Sequence, residues 1–222
     1  MDKRTTVQVD SFEEKWAEQN ALKKLKKDIG LFGRTMFPTA LNKDIPPFHN
    51  EIYKSLADET LKRVLIAAPR GTAKSTVTSL ILPLHKIAFK SSAEDLFIVI
   101  ISESQSQSIN FLSRIKYHLD NSNNFKQMFG DYSATTAKRW TNNDIVLSNG
   151  ARIIAVGTGQ RVRGFIEGDT RPNLIVIDDY ESELNAATAE GRAKNRKWVT
   201  EAVIPSLSDD GRIVMIGTVI SE

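Results

Sequence analysis

Residues 67–76 read AAPRGTAKST, and the fold turns on whether they form a phosphate-binding loop or a plain strand-to-helix turn. Such a loop works because backbone N–H groups at a helix N-terminus point at an anion. A lysine then reaches the outer phosphates and a Ser or Thr hydroxyl ligates Mg²⁺. The usual spacing is G-x4-G-K-[ST]. Lys74 and Ser75 hold the lysine and hydroxyl positions, whereas Ala68 and Ala73 stand where the two glycines belong and Gly71 lies inside the loop. Alanine at positive φ costs roughly 1 kcal/mol or more relative to glycine. The expectation is therefore that the loop functions only if Ala68 and Ala73 take negative φ.

A second stretch, LIVIDDYE (174–181), supplies a partner. Apolar residues running into Asp178 fit a Walker B strand, whose terminal acid reaches the Mg²⁺ shell beside the loop. A carboxylate that orients and deprotonates the attacking water should follow. Asp179 has the position for this and Glu181 the longer reach. Taken singly, acids at a strand end mark only the start of a loop. Placed about a hundred residues after AKS, with strands and helices between, the two stretches support one another and point to nucleotide binding.

The rest of the chain alternates strand and helix. RVLIAA (63–68), DLFIVIIS (95–102), NLIVIDD (173–179) and GRIVMIGT (211–218) read as buried strands. Helices are expected over 74–90, kinked near Pro83, over 104–120, and through most of 181–207. DIVLSNGARIIAVG (144–157) reads as a hairpin, with Asn149-Gly150 suited to a primed turn. Upstream, residues 10–37 read as one amphipathic helix, and Pro46-Pro47 ends a connector before a helix starting near Phe48. Continuous apolar strands between helices predict an α/β fold, a mainly parallel twisted sheet with helices on both faces, of the P-loop NTPase ASCE type. The expected organisation is an N-terminal helical or extended segment (1–45) and a P-loop ATPase core (46–222). Because the chain stops shortly after its last strand, a domain excised from a longer polypeptide is expected.

Composition narrows the chemistry. The chain is 41% hydrophobic and 26% charged, ordinary for a globular protein. It has no cysteine, so disulfides and thiolate metal sites are excluded, and its three histidines are far apart. No apolar run approaches the ~20 residues of a membrane span. A net charge of +3 says little, but two basic concentrations stand out, Lys138 to Arg171 and GRAKNRKW (191–198). A solvated face is the simpler reading of either.

Several stretches together resemble the ATPase domain of the large terminase subunit of tailed bacteriophages, the motor that packages DNA into capsids. The matching segments are APRGTAKST (68–76), PPFHNEIY (46–53), SNGARIIAVGTGQRVRG (148–164), RPNLIVIDD (171–179) and IVMIGT (213–218), covering about residues 45 to 220. The resemblance implies that Pro69, Arg70, Gly71, Thr72, Ala73, Lys74, Ser75 and Thr76 hold the triphosphate of ATP, with Mg²⁺ on Ser75 and Asp178. It places Phe48 and His49 near the adenine and Thr218 in a motif sensing the γ-phosphate. Either Asp179 or Glu181 is the catalytic carboxylate. Arg163, in the RG pair, is implied as an arginine finger given to a neighbouring subunit, with Arg161 as fallback.

The implied partners are double-stranded DNA, a portal protein and a small terminase subunit. The implied assembly is a pentameric ring on the procapsid in the host cytoplasm, with no membrane, and a monomer is the expected alternative for the isolated domain. Two features depart from the family. Its usual Asp-Glu pair is Asp178-Asp179 here, and nothing corresponds to its C-terminal nuclease domain, so no nuclease activity is expected of this chain. Two other readings stand beside this one, a helicase-like or DNA-repair ATPase and a degenerate nucleotide-binding module without turnover.

Overall fold

The computed structural model describes residues 17–41, 46–91, 95–162, 170–181 and 188–218. In chain order the elements begin with α1 (17–27), α2 (Ile29–Met36), α3 (His49–Ala57) and β1 (Arg63–Ala67). Helix α4 follows as Lys74–Thr76, a π-helical turn Val77–Ile81, and Leu82–Ala88. Next come β2 (Phe97–Ser102), α5 (Gln105–Asn121), α6 (Asn123–Phe129), β3 (Arg139–Trp140), β4 (Asp144–Val146), β5 (Arg152–Gly157) and β6 (Leu174–Asp178). Helix α7 runs through Ala189–Trp198, a π-helical turn Val199–Val203 and Ile204–Ser206, and β7 (Arg212–Gly217) ends the described chain.

The sheet order is β1-β7-β6-β2-β5-β4-β3. The first five strands are parallel, and β4 and β3 extend the sheet antiparallel. Every residue of β2 and β6 is buried, as their uninterrupted apolar runs require of strands covered on both faces. Alternation divides the core. Ile98 and Ile100 face a cluster with Phe32, Leu56, Leu80 and Leu112 of the helices through α6. Phe97, Val99 and Ile101 face a smaller cluster closed by Val203 and Leu207 at the end of α7. Residues 25–41 contribute Leu25, Ile29, Phe32, Met36, Phe37 and Leu41 to the first cluster, so this part of the N-terminal segment is built into the core.

Several expectations need correction. The N-terminal helix is broken at Asp28, whose side chain accepts from Leu31 N–H at 2.8 Å and starts α2 as a new helix. The hairpin turn is not of the primed type, which requires positive φ at both central residues. Gly150 has φ +82 and Asn149 does not, while Gly150 N–H donates to Leu147 O, giving an ordinary turn followed by a glycine bulge. Strand β1 is not a buried-type strand. It is the sheet edge, and Leu65 on it is 72% exposed.

The expected disturbance at Pro83 takes the form of the π turn. Leu82 N–H donates five residues back to Val77 O just before the proline that has no N–H to give. The same arrangement precedes Pro205 in α7.

His85 fastens α1 to this body. Its Nε2 lies 3.2 Å from Leu25 O and 3.0 Å from Lys26 O, the last carbonyls of α1. Burial, reinforced by the neighbouring Lys86 charge, pushes the imidazole down to about 4. The folded protein therefore binds a proton at His85 less readily than the unfolded chain. Stability is full above the unfolded value near 6.5 and falls as pH drops towards 4. The expected loss is on the order of 3 kcal/mol. Denaturant unfolding across that window should show it, and His85→Gln, which keeps a donor without the titration, should flatten the difference.

Candidate functional site

All five parallel strands deliver their C-terminal ends to one edge of the sheet. The register places Ala67 beside Gly217, Asp178 beside Ile216, and Ser102 beside both Asp178 and Gly157. Between Ala67 and α4 the loop 68–73 is pinned at both ends. Ala68 N–H donates to Gly217 O at 3.2 Å, and Val77 N–H donates to Ala73 O at 3.0 Å. Thr72 Oγ1 donates to Pro69 O at 2.8 Å and folds the loop onto itself. Arg70 sits exposed at its tip.

Ala73 overturns its expectation. Its φ is +54 and ψ +16, left-handed, next to Gly71 at φ +79; Ala68 alone avoids positive φ. The chain must turn from strand direction to helix axis within six residues while its N–H groups converge, and a left-handed residue immediately before the helix does this. Alanine there holds strain of roughly 1–2 kcal/mol, sustained by the fixed loop ends. Ala73→Gly is expected to raise unfolding free energy by about 0.5–1 kcal/mol, less than the full strain because glycine also loosens the unfolded chain. Denaturant midpoints at unchanged slope would check it. At Gly71 an added Cβ meets nothing within 4 Å, so its glycine serves backbone conformation alone.

The side chains converge. Lys74 is only 5% exposed, and its Nζ donates to Thr218 Oγ1 at 2.8 Å and to Pro69 O at 3.4 Å. Asp178 is 3% exposed and accepts from Ser75 Oγ at 3.0 Å and from Ser79 Oγ at 2.7 Å. Burial raises the Asp178 carboxyl above its ordinary range against the two hydroxyls that hold it down, and the Asp179 charge adds to the rise. Ser79 was not anticipated from the sequence. Its four-residue offset from Ser75, which puts both on one helix face, was the available signal. Thr76, next on α4, is half-buried.

Mg²⁺ fits this donor set. The buried Asp178 carboxylate accepts from a hydroxyl of the helix that ends the loop, and a cation would relieve its desolvation. Among the described residues no group of three or more His, Cys, Asp and Glu forms a protein-only cage. An ion held by Ser75 and Asp178 would thus complete its shell with water and phosphate oxygens, as Mg²⁺ does.

Asp179 also has positive φ, +42, and works as a latch. Its Oδ1 accepts from Thr218 N–H at 3.1 Å and its own N–H donates to Ile216 O at 3.1 Å, tying the end of β6 to the end of β7. Glu181 lies beyond, half-buried, with Oε1 3.4 Å from Asn195 Nδ2 of α7. His49 is buried beside the loop, with Nε2 2.5 Å from Thr72 O and Nδ1 without a partner among the described residues, and Phe48 stacks edge-on against it.

Thr158 Oγ1 donates to Ser102 O and Tyr180 O, joining β2, β5 and the residues just beyond β6. A Cβ on Gly157 would come 2.6 Å from Gln105 N, so glycine is needed where β5 meets α5. Arg163 lies outside the described residues, and Arg161 is exposed. In the basic stretch from Lys138, both Arg139 and Arg152 pair with Asp144 at 2.9 Å and serve the sheet.

A cleft of about 930 Å³ lies elsewhere. It lies at the opposite edge, where β2, β6 and β7 begin, and is lined by His85, Asn173 and Arg212. The side chains singled out above converge instead at the C-terminal edge, the ligand edge of open α/β sheets.

Strand β7, inserted between the loop strand β1 and the acid strand β6, gives the chain the α/β P-loop NTPase fold of the additional-strand type. Solved structures of two phage terminases share it. The bacteriophage HK97 large terminase matches with TM-score 0.50 and 10% identity over 79% of this chain and 33% of that one. A mutant of the large terminase ATPase domain of a Thermus phage matches with TM-score 0.50 and 15% identity over 82% of this chain and 68% of that one. This chain thus spans about a third of the HK97 protein. A DEAD box protein from Methanococcus jannaschii also matches, at TM-score 0.42 and 13% identity over 75% of this chain and 41% of that one. Neither a protein-family model nor a curated protein sequence matches the chain.

Proposed function

We propose that this chain is the ATP-hydrolysing motor domain of a viral DNA-packaging terminase. The observation that carries the proposal is the meeting of Lys74, Ser75, Asp178 and Thr218 at one sheet edge. The terminase motifs of the sequence, on a fold shared with terminase ATPase domains, supply the choice among ATPases.

In this reading the N–H groups of residues 70–75 cradle the triphosphate at the start of α4, and Lys74 neutralises its outer charge. Mg²⁺ on Ser75 and Asp178 supplies further charge neutralisation. Phe48 and His49 border the adenine. Glu181, with the longer reach, takes the proton of the attacking water, with Asp179 as the alternative. Phosphate binding draws Lys74 from Thr218 Oγ1, and β7 carries the change through the Asp179 latch. Arg163 of a neighbouring subunit faces the transferring phosphoryl, with Arg161 as the fallback. The wider setting is double-stranded DNA, a portal protein, a small terminase subunit and a pentameric ring in the host cytoplasm. No helix among the described residues is long and apolar enough to cross a membrane.

The test is Mg²⁺-dependent ATP turnover at rising protein concentration. Turnover per chain is expected to rise as neighbours supply Arg163. Arg163→Ala and Lys74→Ala should each be inactive and regain activity when mixed, since some mixed interfaces hold both residues. Duplex binding should weaken steeply with salt. Nucleotide binding without turnover at any concentration would instead favour a degenerate module, and unwinding of a forked duplex a helicase-like ATPase.

A further inference from the structure

Asp178 and Gly157 are the last residues of β6 and β5 to pair with β2, both at Ser102. Beyond them the chain continues from β6 into Tyr180 and Glu181, and from β5 towards Arg161. These continuations leave strands that are not neighbours, since β2 lies between them. Thr158 bridges the gap. Its backbone N–H donates to Ser102 O at 2.9 Å and already gives that carbonyl a donor. Its Oγ1 lies 3.1 Å from the same oxygen and 2.9 Å from Tyr180 O. A hydroxyl has a single proton, so the nearer Tyr180 carbonyl is the acceptor that calls for a side chain.

Each side of the bridge leads to a residue of the proposed reaction. On one side Tyr180 is half-buried, with its phenol against Glu181. Burial raises that phenol above its ordinary value, and the Glu181 charge and hydrogen bond add to the rise. A hold on the Tyr180 carbonyl therefore fixes the peptide that carries Glu181 and the ring beside it. On the other side, residues 158–162 form a tight mount. Gln160 Oε1 accepts from Gly157 N–H at 2.9 Å, and its Nε2 donates to Gln105 Oε1 at 3.0 Å. Its carbonyl accepts from Trp198 Nε1 at 3.0 Å. Val162 is buried in the cluster against which Tyr180 and Trp198 pack, while Arg161 stays exposed.

We infer that Thr158 is a positioning residue whose hydroxyl sets Glu181 and the arginine-bearing segment in one fixed relation. The inference rests on the readings of Glu181 as proton acceptor and of Arg163 as the residue given to a neighbouring subunit. A link of this kind makes a chain's own carboxylate and the arginine it supplies move together. A shift of the loop after β6 during hydrolysis then reaches the next site through packed, hydrogen-bonded residues. Loss of the hydroxyl frees Tyr180 O but leaves the β2 ladders with β5 and β6 in place, so the effect falls on position more than on the fold.

The experiment mixes Lys74→Ala chains, which supply arginine but do not hydrolyse, with Arg163→Ala chains, which hydrolyse only beside such a neighbour. Thr158→Val keeps the branched shape and removes the hydroxyl. It is added to either parent, and Mg²⁺-dependent ATP turnover is recorded with a thermal melt of each protein. In the hydrolysing chain it should lower kcat about fivefold, the factor one lost hydrogen bond is worth, with KM for ATP unchanged. In the supplying chain, whose own site is silent, it should lower the mixture's kcat by a similar factor. Thr158→Ser keeps the hydroxyl and should stay within about twofold of the unaltered mixture in both places. Undiminished turnover with Thr158→Val in either chain overturns the link, as does a Thr158→Ser mixture no faster than the valine one. Two controls test the underlying readings separately. No turnover in the mixture with Thr158 intact removes the exchanged arginine. Turnover that survives Glu181→Gln in the hydrolysing chain removes Glu181 as proton acceptor, and the link falls with either. Once both controls pass, the Thr158 variants decide the link alone.

Discussion

Lys74→Ala is expected to lower Mg²⁺-dependent ATP turnover by about 10²–10³-fold, the loss typical when a preorganised charge facing a transition state is removed. Lys74 is 5% exposed, and its ammonium is held by Thr218 Oγ1 and Pro69 O, both neutral. Its direct hydrogen bonds engage only neutral oxygens, which leaves the ammonium available to an anion at the helix start. Desolvation makes that charge more effective than a surface lysine would be. The fold should survive, because Lys74 adds only neutral hydrogen bonds to a loop already pinned through Ala68 and Ala73. Steady-state hydrolysis and nucleotide titration, with a thermal melt alongside, give the result. Turnover within a few-fold of wild type would remove Lys74 from the chemistry.

Asp178→Asn should move activity and stability in opposite directions. Turnover is expected to fall by about 10²-fold or more as the buried anionic partner of Mg²⁺ disappears. Unfolding free energy at neutral pH and in chelator should rise by about 1 kcal/mol, because an ionised carboxylate 3% exposed is replaced by a neutral amide. The sign follows from the raised carboxyl. Its folded value lies above the unfolded one, so wild type carries the penalty of the charged form at neutral pH and loses it as pH falls to the usual 3.8. The gap between the two proteins should close there. A variant less stable than wild type at pH 7 would mean that Ser75 and Ser79 hold the carboxylate more firmly than burial opposes it.

The chemistry of this site was legible because it is local. Lys74 and Ser75 stand in fixed spacing, and Asp178 ends an apolar run whose burial the pattern demands. Non-local facts were harder. Only pairing shows that β7 enters between β1 and β6, and only that pairing brings Thr218 to Lys74 and to Asp179. Ala73 was misjudged because intrinsic backbone preference was weighed without the two fixed loop ends that override it. Asp28 was absorbed into a helical pattern that continues on both sides of it, although an aspartate there is a capping signal. Asn149 matched a dipeptide preference that the loop length did not honour. Asn195 sits in a run of cations and offers no signal of its own until α7 is placed against Glu181.

The position of β1 bears on how the protein behaves in a tube. Among the described residues no strand pairs with its outer edge, so its backbone donors and acceptors form an open template beside an exposed Leu65. Edges of this kind recruit other chains, and charge at Lys62 and Arg63 guards only its beginning. Concentrated samples are therefore expected to associate by strand addition, a route separate from assembly of a motor ring. Light scattering that climbs with concentration while turnover per chain stays flat identifies this route, and Leu65→Lys should suppress it. Without that check, clumping along one strand would pass for the assembly of a motor.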